Sequence, residues 1–448
     1  MTTIDFTSNV TSSGAGAGAS ANAASSSNAA YEKIGQPNRS TSSPDALGSQ
    51  SFAPTSFQRL ARRRILQKLD LLKHGTIEYS DPQTQKQLGD PLADGLRAGL
   101  SVDDPGLYSQ LVTDGGLGFA ESYLRGYWRT DDLTGLLRIF CRNLNSIQGP
   151  VAALTGQFQR IVRWLQRNTR GGSRRNIAAH YDLSNQFFEL FLDPTLMYSS
   201  AWFEDEHTSL HAASIAKLDR ICRKLELRPS DEVMEIGTGW GGFALHAVTN
   251  YGCGLTTATI SQAQFARAKQ RFADAGITKQ VQLLDYDYRD LQGQYDKLVS
   301  IEMVEAVGEG FLDNYFRCCG RLLRPGGRFA MQAIVMPETR YEAYRQRTDF
   351  IQKYIFPGGF LPSVAALQTA AGRTTNLRLE SIEDMSLHYA RTLELWRERF
   401  FDRLDDVRRL GFDDRFIRMW EYYLCYCEAA FREQAVRVVQ IVWDQPAF

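Results

Sequence analysis

The sequence predicts an α/β fold, a doubly wound, Rossmann-like sheet with helical lid insertions, preceded by a small N-terminal α+β domain. Three observations carry this. From residue 215 onward, short apolar runs alternate with amphipathic helical patterns, as repeated strand-helix units require. The first such run ends in glycines at alternate positions, Gly237, Gly239 and Gly241, with a helical pattern behind them. Ahead of the alternation, the composition shifts from a low-complexity tail to a mixed, basic region.

Residues 1–52 are rich in Ser, Ala, Gly, Asn and Thr and nearly devoid of large apolar side chains. Such a segment buries too little surface to offset its chain entropy, so a disordered tail is expected. Residues 53–150 are expected to form a small N-terminal domain. Its first helix, over 56–74, places Phe57, Leu60, Ile65, Leu66, Leu69 and Leu72 among Arg59, Arg62, Arg63, Arg64, Lys68 and Lys73. That pattern reads either as the solvated face of a packed helix or as a membrane-surface helix meeting anionic lipid. Asp131-Asp132 opens a later helix with Leu133, Leu136, Leu137 and Ile139 as its apolar positions. A second basic amphipathic stretch covers 150–178 and breaks at Gly171-Gly172.

Residues 151–448 are expected to be the catalytic domain. Helices are predicted at 215–225, 243–250 and 261–273, and strands at 232–236, 254–260, 281–284, 297–302 and 327–334. The order implies a parallel sheet with its ligand at the strands' C-terminal ends. A helix is predicted over 416–442, for core packing or for lining a channel or dimer contact.

Composition narrows the function. Lys plus Arg and Asp plus Glu each number 51, so no global attraction to nucleic acid is expected. No apolar run approaches the roughly 20 residues that span a bilayer, and the N-terminus has no signal-peptide pattern. Seven scattered cysteines without a Cys-x-x-Cys pair read as free thiols in a reducing cytoplasm. The histidines form no ligand-like cluster, and no metal is expected.

The glycine turn, looser than the dinucleotide pattern Gly-x-Gly-x-x-Gly, suits a nucleoside without a pyrophosphate, such as S-adenosylmethionine; the alternative is a tight strand-to-helix connection. Thr259 and Gln264 flank the next helix start. Asp285, Asp287 and Tyr288 follow the third strand, where a carboxylate accepts an adenine amino group and a ring packs on the base; Asp287 also reads as a turn former. Glu302 and Glu305 share a face after the fourth strand, one of them a core carboxylate or a cap. Gln332 is a polar side chain in a buried strand and needs a partner. Aromatic segments at 180–203 and 353–362 are expected to fold over a pocket and line a greasy channel.

These motifs resemble the cyclopropane-fatty-acyl-phospholipid synthase family, which includes the mycolic acid cyclopropane synthases. The resemblance lies in His180-Tyr-Asp-Leu-Ser, Met197-Tyr-Ser-Ser-Ala, Glu235-Ile-Gly-Thr-Gly-Trp-Gly-Gly, Thr259-Ile-Ser-x-x-Gln264, Met303-Val-Glu-Ala-Val-Gly308, Tyr354-Ile-Phe-Pro-Gly-Gly359 and His388-Tyr-Ala-Arg-Thr-Leu393. It covers roughly residues 60–440. It implies methylene transfer from S-adenosylmethionine to the cis double bond of unsaturated acyl chains in membrane phospholipids, forming a cyclopropane ring. A methyl- or methylene-branched product is the alternative. It implies that Tyr198, Ser199, Gly237, Gly239, Thr259, Gln264 and Tyr288 contact the cofactor. It further implies a bicarbonate ion as active-site base, held by Glu305, Tyr389, Ile334 and backbone near Ser200. Two positions depart from the family: Ser200 stands where cysteine is usual, and Gln332 where some members have histidine. Tyr198, Trp202, Phe350 and Tyr389 are candidates for stabilising a carbocation. A cytoplasmic homodimer, peripheral on the inner face of the cytoplasmic membrane, is the expected setting. Methylation of a small soluble substrate, or a noncatalytic lipid-binding scaffold, are the rival readings.

Overall fold

The computed structural model describes residues 53–90, 95–144 and 183–447, all within one compact unit, Ser49–Phe448. The N-terminal tail, the basic stretch at 150–178, the boundary near 150 and the motif start at 180–182 lie outside the described residues.

Helix α1 (Ser56–Leu69) starts in a capping box between Thr55 and Gln58, which satisfies two otherwise orphaned backbone donors. Four strands follow: β1 (Gly75–Asp81), β2 (Thr84–Asp90), β3 (Arg97–Val102) and β4 (Trp128–Arg129), in sheet order β2-β1-β3-β4. Helix α2 (Gly106–Leu124) links β3 to β4. Helix α3 (Leu133–Arg142) begins where the aspartate pair predicts, with Asp132 Oδ1 accepting the Gly135 N–H at 2.8 Å.

The larger layer begins with α4 (Asn185–Phe191) and α5 (Leu210–Leu225). Then come β5 (Glu232–Ile236), α6 (Gly242–Tyr251), β6 (Gly254–Ala258), α7 (Gln262–Asp274), β7 (Val281–Leu284), β8 (Tyr295–Ile301), α8 (Leu312–Leu322) and β9 (Leu323–Val335). These match the predicted alternation, with shifted ends. Beyond β9 lie α9 (Glu338–Arg345), α10 (Val364–Thr374), β10 (Arg378–Asp384), α11 (Ser386–Asp402), α12 (Leu404–Arg409), α13 (Asp414–Arg432) and β11 (Arg437–Asp444).

The sheet order is β10-β11-β9-β8-β5-β6-β7. Its five strands β5 to β9 are parallel, as expected. The other edge corrects the all-parallel expectation, because β11 runs antiparallel to β9 and β10 antiparallel to β11. The predicted helix over 416–442 is also corrected. Helix α13 stops at Arg432, and the run Val438-Val-Gln-Ile-Val-Trp443 is a strand buried between two neighbours. Its β-branched residues pack well on a pleated surface and lose rotamer freedom in a helix. Strand β10 carries mostly charged and polar residues, a composition that protects an edge and gives no apolar alternation to read.

Helices α11 and α13 join α4 in an aromatic core. The Phe187 ring lies 4.9 Å from Trp420, and Phe191 lies 6.0 Å from Trp396. Buried carboxylates on α13 tie this layer to the small sheet's helices. Glu421 accepts the Tyr123 hydroxyl at 2.6 Å, and Glu428 that of Thr134 at 3.1 Å. Among the described residues no helix is long and apolar enough to cross a membrane.

Candidate functional site

The crevice opens at the C-terminal end of β5. Gly237 takes φ 103°, and a Cβ there would lie 3.1 Å from Met303 Cγ. Its N–H and that of Thr238 both donate to the Ala258 carbonyl, pinning the turn against β6. Gly239 has φ 53°, and a Cβ on it would meet no protein atom within 4 Å. Its backbone therefore faces the cavity and admits a ligand at close range. Beneath the turn, the Thr257 hydroxyl donates to Glu235 Oε2 at 2.6 Å. Burial pushes the Glu235 carboxyl up to about 8, opposed by that bond and by Lys217.

All eight residues predicted to hold a cofactor line a single cavity of about 1600 Å³. The Tyr198 hydroxyl lies 2.8 Å from that of Tyr423, and its ring stacks 5.2 Å from Trp396. Ser199 Oγ accepts from Lys217 Nζ at 2.8 Å. The Thr259 hydroxyl donates to Gln264 Oε1 at 3.0 Å, which fixes the start of α7. Asp287 acts as the turn former too: it accepts the Arg289 N–H and pairs with that guanidinium at 2.7 and 2.6 Å. Tyr288 meets Tyr315 edge to face at 5.4 Å.

Of the predicted catalytic residues, Glu305, Ile334 and Tyr389 line the same cavity, whereas Ser200 and Gln332 are fully buried and do not line it. Their hydrogen bonds converge on Glu302, which the sequence offered only as a core carboxylate or cap. Glu302 Oε1 accepts from the Ser200 N–H at 2.9 Å and from Gln332 Nε2 at 2.7 Å. Glu302 Oε2 accepts from the Tyr389 hydroxyl at 2.9 Å. Burial raises the Glu302 carboxyl above its ordinary range, and these bonds together with Lys217 oppose the rise. Behind it, Gln332 Oε1 accepts from Gln440 Nε2 at 3.0 Å, and Gln440 Oε1 accepts from Lys224 Nζ at 2.6 Å. Every donor in that chain points toward Glu302.

Glu305 is placed differently from the expectation. Its Oε1 accepts the Ile334 N–H at 2.5 Å, and its Oε2 is buried without a partner. Burial, reinforced by Glu302, pushes its carboxyl up to about 8. The expected bicarbonate does not fit this arrangement, because Glu302 already takes the Ser200 N–H, the Gln332 amide and the Tyr389 hydroxyl. Trp202 is a second correction. His388 stacks on its ring at 4.0 Å and the Arg220 guanidinium lies 3.7 Å from it, so its faces are taken. Phe350 does line the cavity, as do Phe356, Pro357, Gly359, Phe360 and Leu361 of the predicted greasy segment.

Sequence reasoning missed Lys217, whose ammonium is fully buried and lowered to about 8 by burial, against the pull of Glu302, Asp193 and Glu235. A signal existed: Lys217 falls on the stripe Leu210, Ala213, Ser214, Leu218, Ile221, the buried face of α5, where a cation needs a charged partner.

Comparison with known proteins shows the family and the fold. The family model described as mycolic acid cyclopropane synthetase matches residues 168–441. The tuberculostearic acid methyltransferase of Mycobacterium tuberculosis is 41% identical over 367 residues, 78% of this chain and 83% of that protein. The cyclopropane-fatty-acyl-phospholipid synthase of Escherichia coli K12 is 35% identical over 353 residues, 78% of this chain and 88% of its own. A crystal structure of a mycolic acid cyclopropane synthase complexed with SAH and CTAB superposes with a TM-score of 0.57 at 30% identity, covering 60% of this chain and 98% of that one. The fold is the Rossmann-like fold of S-adenosylmethionine-dependent methyltransferases, and the chain belongs to the mycolic acid cyclopropane synthetase family.

Proposed function

We propose that this protein transfers a methylene group from S-adenosylmethionine to the cis double bond of an unsaturated acyl chain in membrane phospholipid, closing a cyclopropane ring. One observation supports the lipid substrate above others. The cavity that holds the glycine turn, Tyr198 and Glu302 also reaches Phe57, Leu60, Arg64 and Lys68 of α1. Its volume exceeds the roughly 300–1000 Å³ of a typical small-ligand pocket, leaving room for an acyl chain beside a nucleoside. Phe57 and Leu60 are 51% and 56% exposed at its rim. Apolar side chains with flanking cations suit a membrane surface bearing anionic lipid, on which the protein would sit peripherally.

The chemistry follows from the lining. The alkene attacks the sulfonium methyl, and positive charge develops on the neighbouring carbon. The rings of Tyr198, Tyr389 and Phe350 border the cavity, and a desolvated cation on an aromatic face gains on the order of 2 kcal/mol. The aromatic part of the lining would limit the access of water to the cation. Loss of one proton from the new methyl closes the ring. The likeness to a tuberculostearic acid methyltransferase favours a second reading, a methyl- or methylene-branched product without a ring.

The test is incubation of the full chain with S-adenosylmethionine and vesicles of dioleoyl phospholipid, with mass spectrometry and proton NMR of the lipid. A product one CH2 heavier with cyclopropane protons is expected. A branched-methyl or exomethylene signal selects the second reading, and an unmodified lipid refutes both.

A further inference from the structure

Glu302 occupies the point where three donors from separate parts of the fold meet. The Ser200 N–H comes from the segment before α5, the Gln332 amide from β9 and the Tyr389 hydroxyl from α11. Two of them, the Ser200 backbone and Tyr389, are among the groups expected to hold a bicarbonate ion, Gln332 stands where some family members have histidine, and here all three hold a side chain of the protein. Glu302 also sits at φ 48°, a left-handed conformation uncommon outside glycine. Such strain persists where the surroundings over-determine it, and it concentrates at functional sites. The Glu302 N–H donates to the Gln332 carbonyl at 2.7 Å, so the turn is locked onto the same strand that supplies the amide.

We propose that Glu302 is the general base of this active site, a built-in carboxylate that takes the place of a bound bicarbonate. The inference rests on the reaction proposed above and assigns its proton-removal step. The alkene π pair forms a carbon–carbon bond to the methyl, and the sulfur–carbon pair returns to sulfur, releasing a neutral thioether. Glu302 then takes one proton from the transferred methyl. The freed C–H pair bonds to the neighbouring cationic carbon and closes the ring. If a hydride shift comes first, loss of a proton from the same methyl gives a methylene branch, so either product needs a base at this place. The proton leaves Glu302 to water once product departs.

The geometry suits the task. Three of the roughly four acceptor directions of a carboxylate are filled by protein donors, and Glu302 borders the cavity, so the remaining direction is available to substrate. The Gln332–Gln440–Lys224 chain orients the carboxylate, making Gln440 a positioning residue. Burial strengthens Glu302 as a proton acceptor.

Calorimetry with sodium bicarbonate tests the occupancy without relying on turnover. The full chain should show no bicarbonate binding, whereas Glu302→Gly, which frees the donors and suits the left-handed backbone, should gain a site. Bicarbonate binding by the unaltered protein, or none by Glu302→Gly, overturns the proposal. In the vesicle assay in CO2-free buffer, the unaltered enzyme should be indifferent to added bicarbonate. Glu302→Gln should lose about 100-fold or more in kcat, the range for a removed general base. A Glu302→Gln kcat within about threefold of the original overturns the assignment. An unaltered protein that modifies no lipid refutes the proposed reaction, and the bicarbonate titration still decides who occupies the site.

Discussion

Glu305 offers a quantitative test of the site's electrostatics. Its carboxyl is buried, one oxygen takes the Ile334 N–H, and the other has no partner. The folded protein therefore holds the proton up to about pH 8, against an ordinary value of 4.5. Because the folded-state value is raised, the stabilising contribution is full below about pH 4.5 and is lost as pH rises through 8. Between those limits the unfolded chain releases a proton that the folded chain keeps, and stability falls by about 1.4 kcal/mol per pH unit. From pH 5.5 to 7.5 the integrated loss is about 2.5 kcal/mol. Glu305→Gln preserves an acceptor for the Ile334 N–H and removes the titration, so it should escape this loss. For a unit of about 400 residues the unfolding entropy is roughly 0.8 kcal/mol/K, and the loss corresponds to roughly 3 °C. The assay is the thermal midpoint of both proteins, without cofactor, at the two pH values and constant ionic strength. The original protein's midpoint should drop relative to the variant by that amount. A difference that is flat with pH, or that grows in the opposite direction, would refute the buried, protonated Glu305.

Two further perturbations address the cofactor crevice and its hidden cation. Gly239→Ala adds a methyl that meets no protein atom within 4 Å but faces the cavity at φ 53°; backbone strain should cost about 1–2 kcal/mol, while S-adenosylmethionine affinity measured by calorimetry falls at least about tenfold. An unchanged affinity would remove the turn from the cofactor site. Lys217→Met leaves Glu302, Glu235 and Asp193 without the ammonium that attracts them, and denaturant unfolding at pH 7 should report a loss of about 3 kcal/mol or more. A loss below about 1 kcal/mol would mean that the buried ammonium is not held there by an ion pair.

What was legible follows from how each feature is encoded. The strands β5 to β9 are readable because short apolar runs alternate with helical periodicity, and Gly237, Gly239, Thr259, Gln264, Asp287 and Tyr288 because such sheets bind at strand C-termini; Tyr198 and Ser199, which precede the sheet, come only from the family resemblance. Strand β11 was misread because its apolar run follows directly on the periodic helix α13, and only the β-branched content separates them. Strand β10 has a charged composition that hides its pairing. By residue pattern alone Glu302 and Glu305, three residues apart, are equivalent, and only the family resemblance singles out Glu305. Their roles separate only through the left-handed backbone at Glu302, which turns one carboxylate onto three donors and leaves the other against Ile334. That dihedral angle has no signature in a glutamate's immediate neighbours.

The same asymmetry organises the charge in the proposed reaction. The cavity wall holds Glu235, Glu302 and Glu305, and the buried Lys217 is the counter-charge of the first two. A sulfonium entering this site brings one positive charge and favours an ionised Glu302, because an opposite charge nearby lowers a carboxyl's proton affinity. Through the reaction that charge is never discarded. It moves from sulfur to the alkyl carbon and then to the proton that neutralises Glu302. A fixed carboxylate, oriented by Ser200, Gln332 and Tyr389 before substrate arrives, meets each stage without reorganising, which is the condition under which a low-dielectric site acts most strongly on a developing cation. A diffusible anion would have to enter that dry site and be re-bound, and the Glu302 side chain removes the need for it.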